Sequence, residues 1–107
     1  MKNAVTVLVP FTLTKGKTEQ DMVDASNQFQ EHFVNHHEGV LRREIIKTGE
    51  RSYTDIVQFR SREDAERVIA AEAASEDCQA FFSVMDLNDM DERIDFYPSL
   101  ATYTQDQ

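Results

Sequence analysis

The chain has no tryptophan, one cysteine, two prolines and three glycines among its 107 residues. One cysteine excludes an intrachain disulfide and agrees with a reducing compartment. The glycines stand at 16, 39 and 49, too far apart for a Rossmann fingerprint or a phosphate-binding P-loop. No apolar run is long enough for a membrane span. The opening MKNAVTVLVPFTL has one lysine and no small-residue cleavage pattern, so a cytoplasmic location is expected. Bases are also scarce, with 11 against 20 acids and a formal net charge of −9. That sign is poorly suited to phosphate backbones or anionic bilayers, which argues against nucleic-acid and membrane partners.

What is present suits one soluble globular domain over residues 1–107, with 103–107 as a loose tail. The charge is uneven. Residues 75–107 carry eight acids and one base, whereas 40–60 carry five bases and three acids. The basic share lies where a small anionic ligand could be held, although solvated surface charge is the plainer explanation.

Hydrophobic periodicity sets the order of elements. Ala4 to Leu13 alternates, with Val5, Val7, Val9, Phe11 and Leu13 on one face, and Pro10 should break or bulge the pairing. Thr18 caps a helix whose stripe is Met22, Ala25, Ser26, Phe29 and Phe33. This helix is expected to end near His36 or His37, before Gly39. Val40 to Thr48 and Tyr53 to Arg60 read as a hairpin turning at Gly49. Ser61 caps a second helix with Ala65, Val68, Ile69 and Glu72 on one side. Ser75 starts a third with the stripe Cys78, Phe81, Phe82 and Met85, in which Cys78 reads as a buried core thiol. LNDMDER is a polar turn, and Arg93 to Tyr103 a last strand with Pro98 at an edge or bulge.

The order β-α-β-β-α-(α)-β resembles the ferredoxin-like dimeric α+β barrel superfamily, nearest to antibiotic biosynthesis monooxygenase (ABM)-like domains. AVTVLVPFTL, the hairpin Val40–Arg60, FRSREDAERVIAAE and SEDCQAFFSVMD carry the resemblance. It implies an α+β fold with a four-stranded antiparallel sheet and helices on one face. It also implies a homodimer through the other sheet face, where Thr6, Leu8, Thr54, Ile56 and Gln58 make a mixed surface. Some such proteins oxygenate aromatic polyketides with no metal or flavin, some degrade haem, and some have no demonstrated activity. This chain departs from the haem-degrading branch, which carries an Asn-Trp-His site, in having no tryptophan. The resemblance thus implies a small monooxygenase-like protein with no cofactor and no metal. It would act on a small aromatic or quinone-type ligand by deprotonating it. An isomerase or decarboxylase using the same proton transfer is an alternative, as is a non-catalytic binding or auxiliary protein.

Candidate chemistry gathers at two places. At about 100° per residue, His36 falls on the Phe29/Phe33 face and would point toward the sheet. On the third strand, Asp55 and Tyr53 share parity with Val57 and Phe59 and should face the helices. A core-facing carboxylate needs a partner, which His36, Arg42 or Arg43 could supply. The expectation is His36 as general base and Asp55 as its orienter, with Tyr53, Arg42, Arg43 and Phe33 contacting substrate. A capping histidine and a structural ion pair would give the same pattern without catalysis. His32 and His36 are spaced as two helical metal ligands can be, but HFVNH is not HExxH. DLNDMDERID is dense in acids, but Met90 falls where a calcium ligand is needed, so it reads as an ordinary turn.

Overall fold

The computed structural model describes residues 3–86 and 94–105. The order is β1 (Val5–Thr12), α1 (Glu19–His32), a 3-10 turn (Val34–His36), β2 (Val40–Lys47), β3 (Ser52–Phe59), α2 (Arg62–Glu72), α3 (Glu76–Phe82) and β4 (Asp95–Pro98). The strands form one antiparallel sheet in the order β2-β3-β1-β4. This is the ferredoxin-like α+β arrangement, with helices packed on one sheet face. Among the described residues, no helix is long and apolar enough to cross a membrane.

Alternation fixes which side of the sheet is covered. Val5, Val7, Phe11, Tyr53, Asp55 and Phe59 are buried against the helices. Leu13 and Met85 close the core with an isolated bridge between the end of β1 and the segment after α3. Phe29 stacks on both Phe33 and Phe81, and Phe11 meets Phe81 edge-on. Each fully buried aromatic contributes roughly 1.5–3 kcal/mol through the water it sheds. Cys78 is buried in this cluster, as its place on the α3 stripe implied.

Caps start each helix as the sequence indicates. Thr18 Oγ1 accepts from the Asp21 backbone N–H while the Asp21 carboxylate accepts from Thr18 N–H, a reciprocal capping box. Ser61 and Ser75 accept from the backbone N–H groups of Asp64 and Cys78.

Three local expectations are corrected and one irregularity, in β2, is new. First, α1 ends at His32, not at His36 or His37. On a continued helix Val34 would lie about 140° from Phe29, in solvent. The tighter 3-10 turn buries Val34 beside Phe33 and leaves His36 exposed. Burying an isopropyl group in place of an imidazole is the favourable exchange. Second, β1 pairs with β3 without interruption through Pro10↔Thr54; only the pairing with β4 stops, at Leu8. Third, β2 has a register shift between Val40 and Arg42. The extra residue lets Val40 and Arg43, three apart, face the core together. Fourth, β4 ends at Pro98 rather than Tyr103. The LNDMDER turn, the acid-rich stretch around Met90 and the start of the last strand at Arg93 lie outside the described residues.

Candidate active site

Between the sheet and the helices lies a cavity of about 70 Å³. Val7, Val57, Phe29, Phe81, Phe82 and Met85 contribute to its apolar wall. Three ionisable side chains reach it: Arg43 from β2, Asp55 from β3 and Glu72 from the last turn of α2. Ile94, which is exposed, stands at its rim. At this size it has room for a few waters, since one water needs roughly 10–15 Å³ measured in this way, whereas benzene occupies a cavity of about 150 Å³.

Arg43 and Asp55 form an ion pair whose side chains are 7% and 8% exposed. Arg43 sits opposite Val57 and Ile45 opposite Asp55, so the pair is a cross-strand diagonal. Arg43 Nε donates to Asp55 Oδ1 at 3.1 Å and Oδ2 at 3.2 Å, and Nη2 donates to Oδ2 at 2.9 Å. Nη1 donates to Gln30 Oε1 on α1 at 3.3 Å. The guanidinium carbon lies 5.1 Å from the ring centres of both Phe29 and Phe81. A planar, weakly hydrated cation tolerates such a place where an ammonium would not. Burial pushes the Asp55 carboxyl above its ordinary value, while the charge and hydrogen bonds of Arg43 pull against it.

Glu72 differs in having no hydrogen-bonded cation among the described residues. Its carboxyl is pushed up to about 7, first by burial and then by the charge of Asp55. The neighbouring Cys78 thiol, buried and facing Glu72, is pushed up to about 12. That thiol is inert near neutral pH.

The structure separates the expected site residues. His36 is exposed on the 3-10 turn, and its ring bonds to nothing among the described residues. It does not contact Asp55, whose hydrogen-bond partner is Arg43. Tyr53 does share the buried face with Asp55, but its hydroxyl donates to Glu19 Oε1 at 2.8 Å and its ring stacks on Phe11. Phe33 packs between Phe29 and His37, away from the cavity wall. Arg42 is exposed and paired with Glu44. His32 bonds Asp77 at 3.2 Å, and with α1 ended there the four-residue spacing to His36 is no longer helical. Among the described residues no three metal-ligating side chains converge. Glu72 was legible only as a carboxylate on an apolar helical stripe, and that signal marks a buried acid needing an explanation.

No family model and no curated protein matches this sequence. Solved structures do match its fold. SnoaB from Streptomyces nogalater, described as a cofactor-independent oxygenase, superposes with a TM-score of 0.73. The two are 13% identical over 96% of this chain and 99% of that one. A provisional antibiotic biosynthesis monooxygenase from Nitrosomonas europaea gives a TM-score of 0.64 at 16% identity, over 94% of this chain and 93% of its own. A Nitrosomonas europaea protein of unknown function gives 0.65 at 13% identity, over 99% and 98%. The fold is therefore the ferredoxin-like α+β fold that these structures share. At such identities the likeness speaks for architecture, and function rests on the site itself.

Proposed function

We propose that this chain is a small monooxygenase-like enzyme that needs no cofactor and acts on a small aromatic compound. The observation that carries this reading is the apolar cavity with a fixed guanidinium in its wall. A fold shared with a cofactor-independent oxygenase supports it. The substrate is an aromatic ring bearing a C–H acidified by a neighbouring carbonyl. Loss of that proton leaves an electron pair delocalised onto oxygen, and Arg43 stabilises the oxyanion. Asp55 acts as a positioning residue that holds the Arg43 fork in place. The carbanion adds to dioxygen and forms a C–O bond. The hydroperoxide then loses water as its O–O bond breaks and the second C–H proton leaves, so a CH₂ and O₂ become a C=O and H₂O. The substrate supplies the electrons.

A ring needs about twice the present cavity volume. Arg43 also lines an open groove with Val23, Ser26, Asn27, Gln30, Glu44 and Ile45, so the two spaces meet at its side chain. A second copy of the chain on the uncovered sheet face completes the reading.

Oxygen uptake with a panel of small aromatic ketones and hydroxyaromatics tests the proposal, with Arg43→Met alongside. Uptake by wild type and a loss of about 100-fold or more in the variant is expected. Proton exchange without oxygen uptake would replace oxygenation by an isomerase-type reaction. Neither exchange nor uptake would leave a binding protein.

A further inference from the structure

We infer that Glu72 is the base that takes the substrate's carbon-bound proton in this cavity. This rests on reading the cavity as a site where an aromatic carbon acid is deprotonated.

The geometry eliminates the other candidates. Asp55 has both carboxylate oxygens engaged by Arg43 Nε and Nη2, so it has little capacity to accept a proton without breaking a buried pair. Cys78 is fully buried, does not line the cavity and is pushed up to about 12. His36 is exposed on the 3-10 turn, and neither it, His32 nor His37 is among the cavity-lining residues. Glu72 is the remaining carboxylate on the cavity wall among the described residues, and no hydrogen-bonded cation occupies it.

The surroundings suit the task. Facing Glu72 are Asp55 from β3, Arg43 from β2 and Cys78 from α3, and along α2 its neighbours on the cavity wall are Val68 and Ile69. Burial and the Asp55 charge raise its proton affinity to a value near neutrality, where a base is both ionised and strong. In the transfer the substrate C–H bond breaks and the proton goes to a Glu72 carboxylate oxygen. The electron pair stays on the substrate and shifts onto the carbonyl oxygen, facing Arg43. Negative charge thus passes from Glu72 to the substrate oxygen while the Arg43–Asp55 pair stays intact. The sequence of the substrate's reaction with oxygen is not involved in this step.

Indan-2-one is a suitable probe, with acidic CH₂ groups between ring and carbonyl. Its binding is measured by calorimetry, and its deuterium uptake from D₂O by proton NMR without oxygen. Wild type should bind it and accelerate exchange, with a rate that rises with pH and levels off above about 7. Glu72→Gln should bind it within about threefold of wild type, lose at least about 100-fold in exchange and lose the pH-dependent limb. Glu72→Asp should retain part of the rate with a shifted limb. Equal exchange in wild type and Glu72→Gln overturns the assignment of Glu72 as the base; binding to wild type without exchange overturns it too and leaves the cavity as a binding site. No binding to wild type overturns the reading of the cavity itself, and this inference with it.

Discussion

At the scale of single residues, the fate of buried charge dominates. Asp55 and Arg43 are both nearly inaccessible, and each is tolerated because the other is there. Asp55→Ala should therefore cost on the order of 3–5 kcal/mol, because it strands the guanidinium between Phe29 and Phe81. The double variant Arg43→Met, Asp55→Leu should recover most of that loss, and urea unfolding of all three proteins measures both quantities. Glu72 makes a different prediction, with a definite sign. Its folded-state value is raised from 4.5 to about 7, so the stability it contributes is complete below about 4.5 and is lost as pH rises through about 7. Glutamine carries no such penalty. Glu72→Gln should gain stability relative to wild type between pH 4 and pH 8, on the order of 2–3 kcal/mol, read from urea midpoints at the two pH values. An unchanged difference between the variant and wild type would mean that Glu72 titrates like an exposed acid.

At the scale of elements, the segment from α1 to β2 decides where the site can form. Val34 takes the buried place that helical spacing offered to His36. Gly39 then turns the chain into β2 with φ at +99°, and a Cβ there would meet the Asp64 carboxyl carbon at 2.5 Å. Asp64 is itself locked by Arg60, Arg67 and Ser61. Gly39→Ala combines a left-handed backbone with a clash against a held side chain, so a loss of about 2–4 kcal/mol is expected in thermal or urea unfolding. A loss below about 0.5 kcal/mol would show that the turn relaxes freely. The parity of β3 could be read from sequence because side chains alternate along a strand: Val57 and Phe59 face the helices, so Asp55 and Tyr53 do too, and Tyr53, Asp55 and Phe59 are buried while Val57 is half-buried. The end of α1 could not, because periodicity says that Phe29 and His36 share a face but not that Val34 competes for it. Arg43 was named beside Arg42 as a partner for Asp55. Only the β2 register and its bulge decide between them. Glu72 escaped notice as a candidate base because the charges around it come from Asp55 on β3 and Arg43 on β2, both distant from it in sequence.

At the scale of the whole molecule, one sheet face carries no helix among the described residues. Helices lie on one side, while Thr6, Leu8, Thr54, Ile56 and Gln58 alternate outward on the other. Leu8 is paired with Ile56, and Ile46 and Tyr97 extend the apolar surface along β2 and β4. Thr6 and Gln58 bond Ser99, and Gln58 also bonds Thr102, which ties the following chain to this face. There Leu100 and Tyr103 stand 95% and 89% exposed. Large side chains so exposed beside an open sheet suit a self-complementary contact, in which a two-fold axis presents each patch to its own copy. The mixture of apolar and hydroxyl groups suits a partly wet interface rather than a dry one. Ile56→Lys would place two unpaired ammonium groups in such an interface without touching the helix-facing core. It should weaken self-association by at least about 100-fold, equivalent to about 2.7 kcal/mol. Val23→Lys on exposed α1 should leave it unchanged. Sedimentation velocity over micromolar concentrations reads all three proteins: wild type and Val23→Lys should run as dimers and Ile56→Lys as a monomer. A monomeric wild type at hundreds of micromolar would remove the dimer, and a dimeric Ile56→Lys would move it to another face.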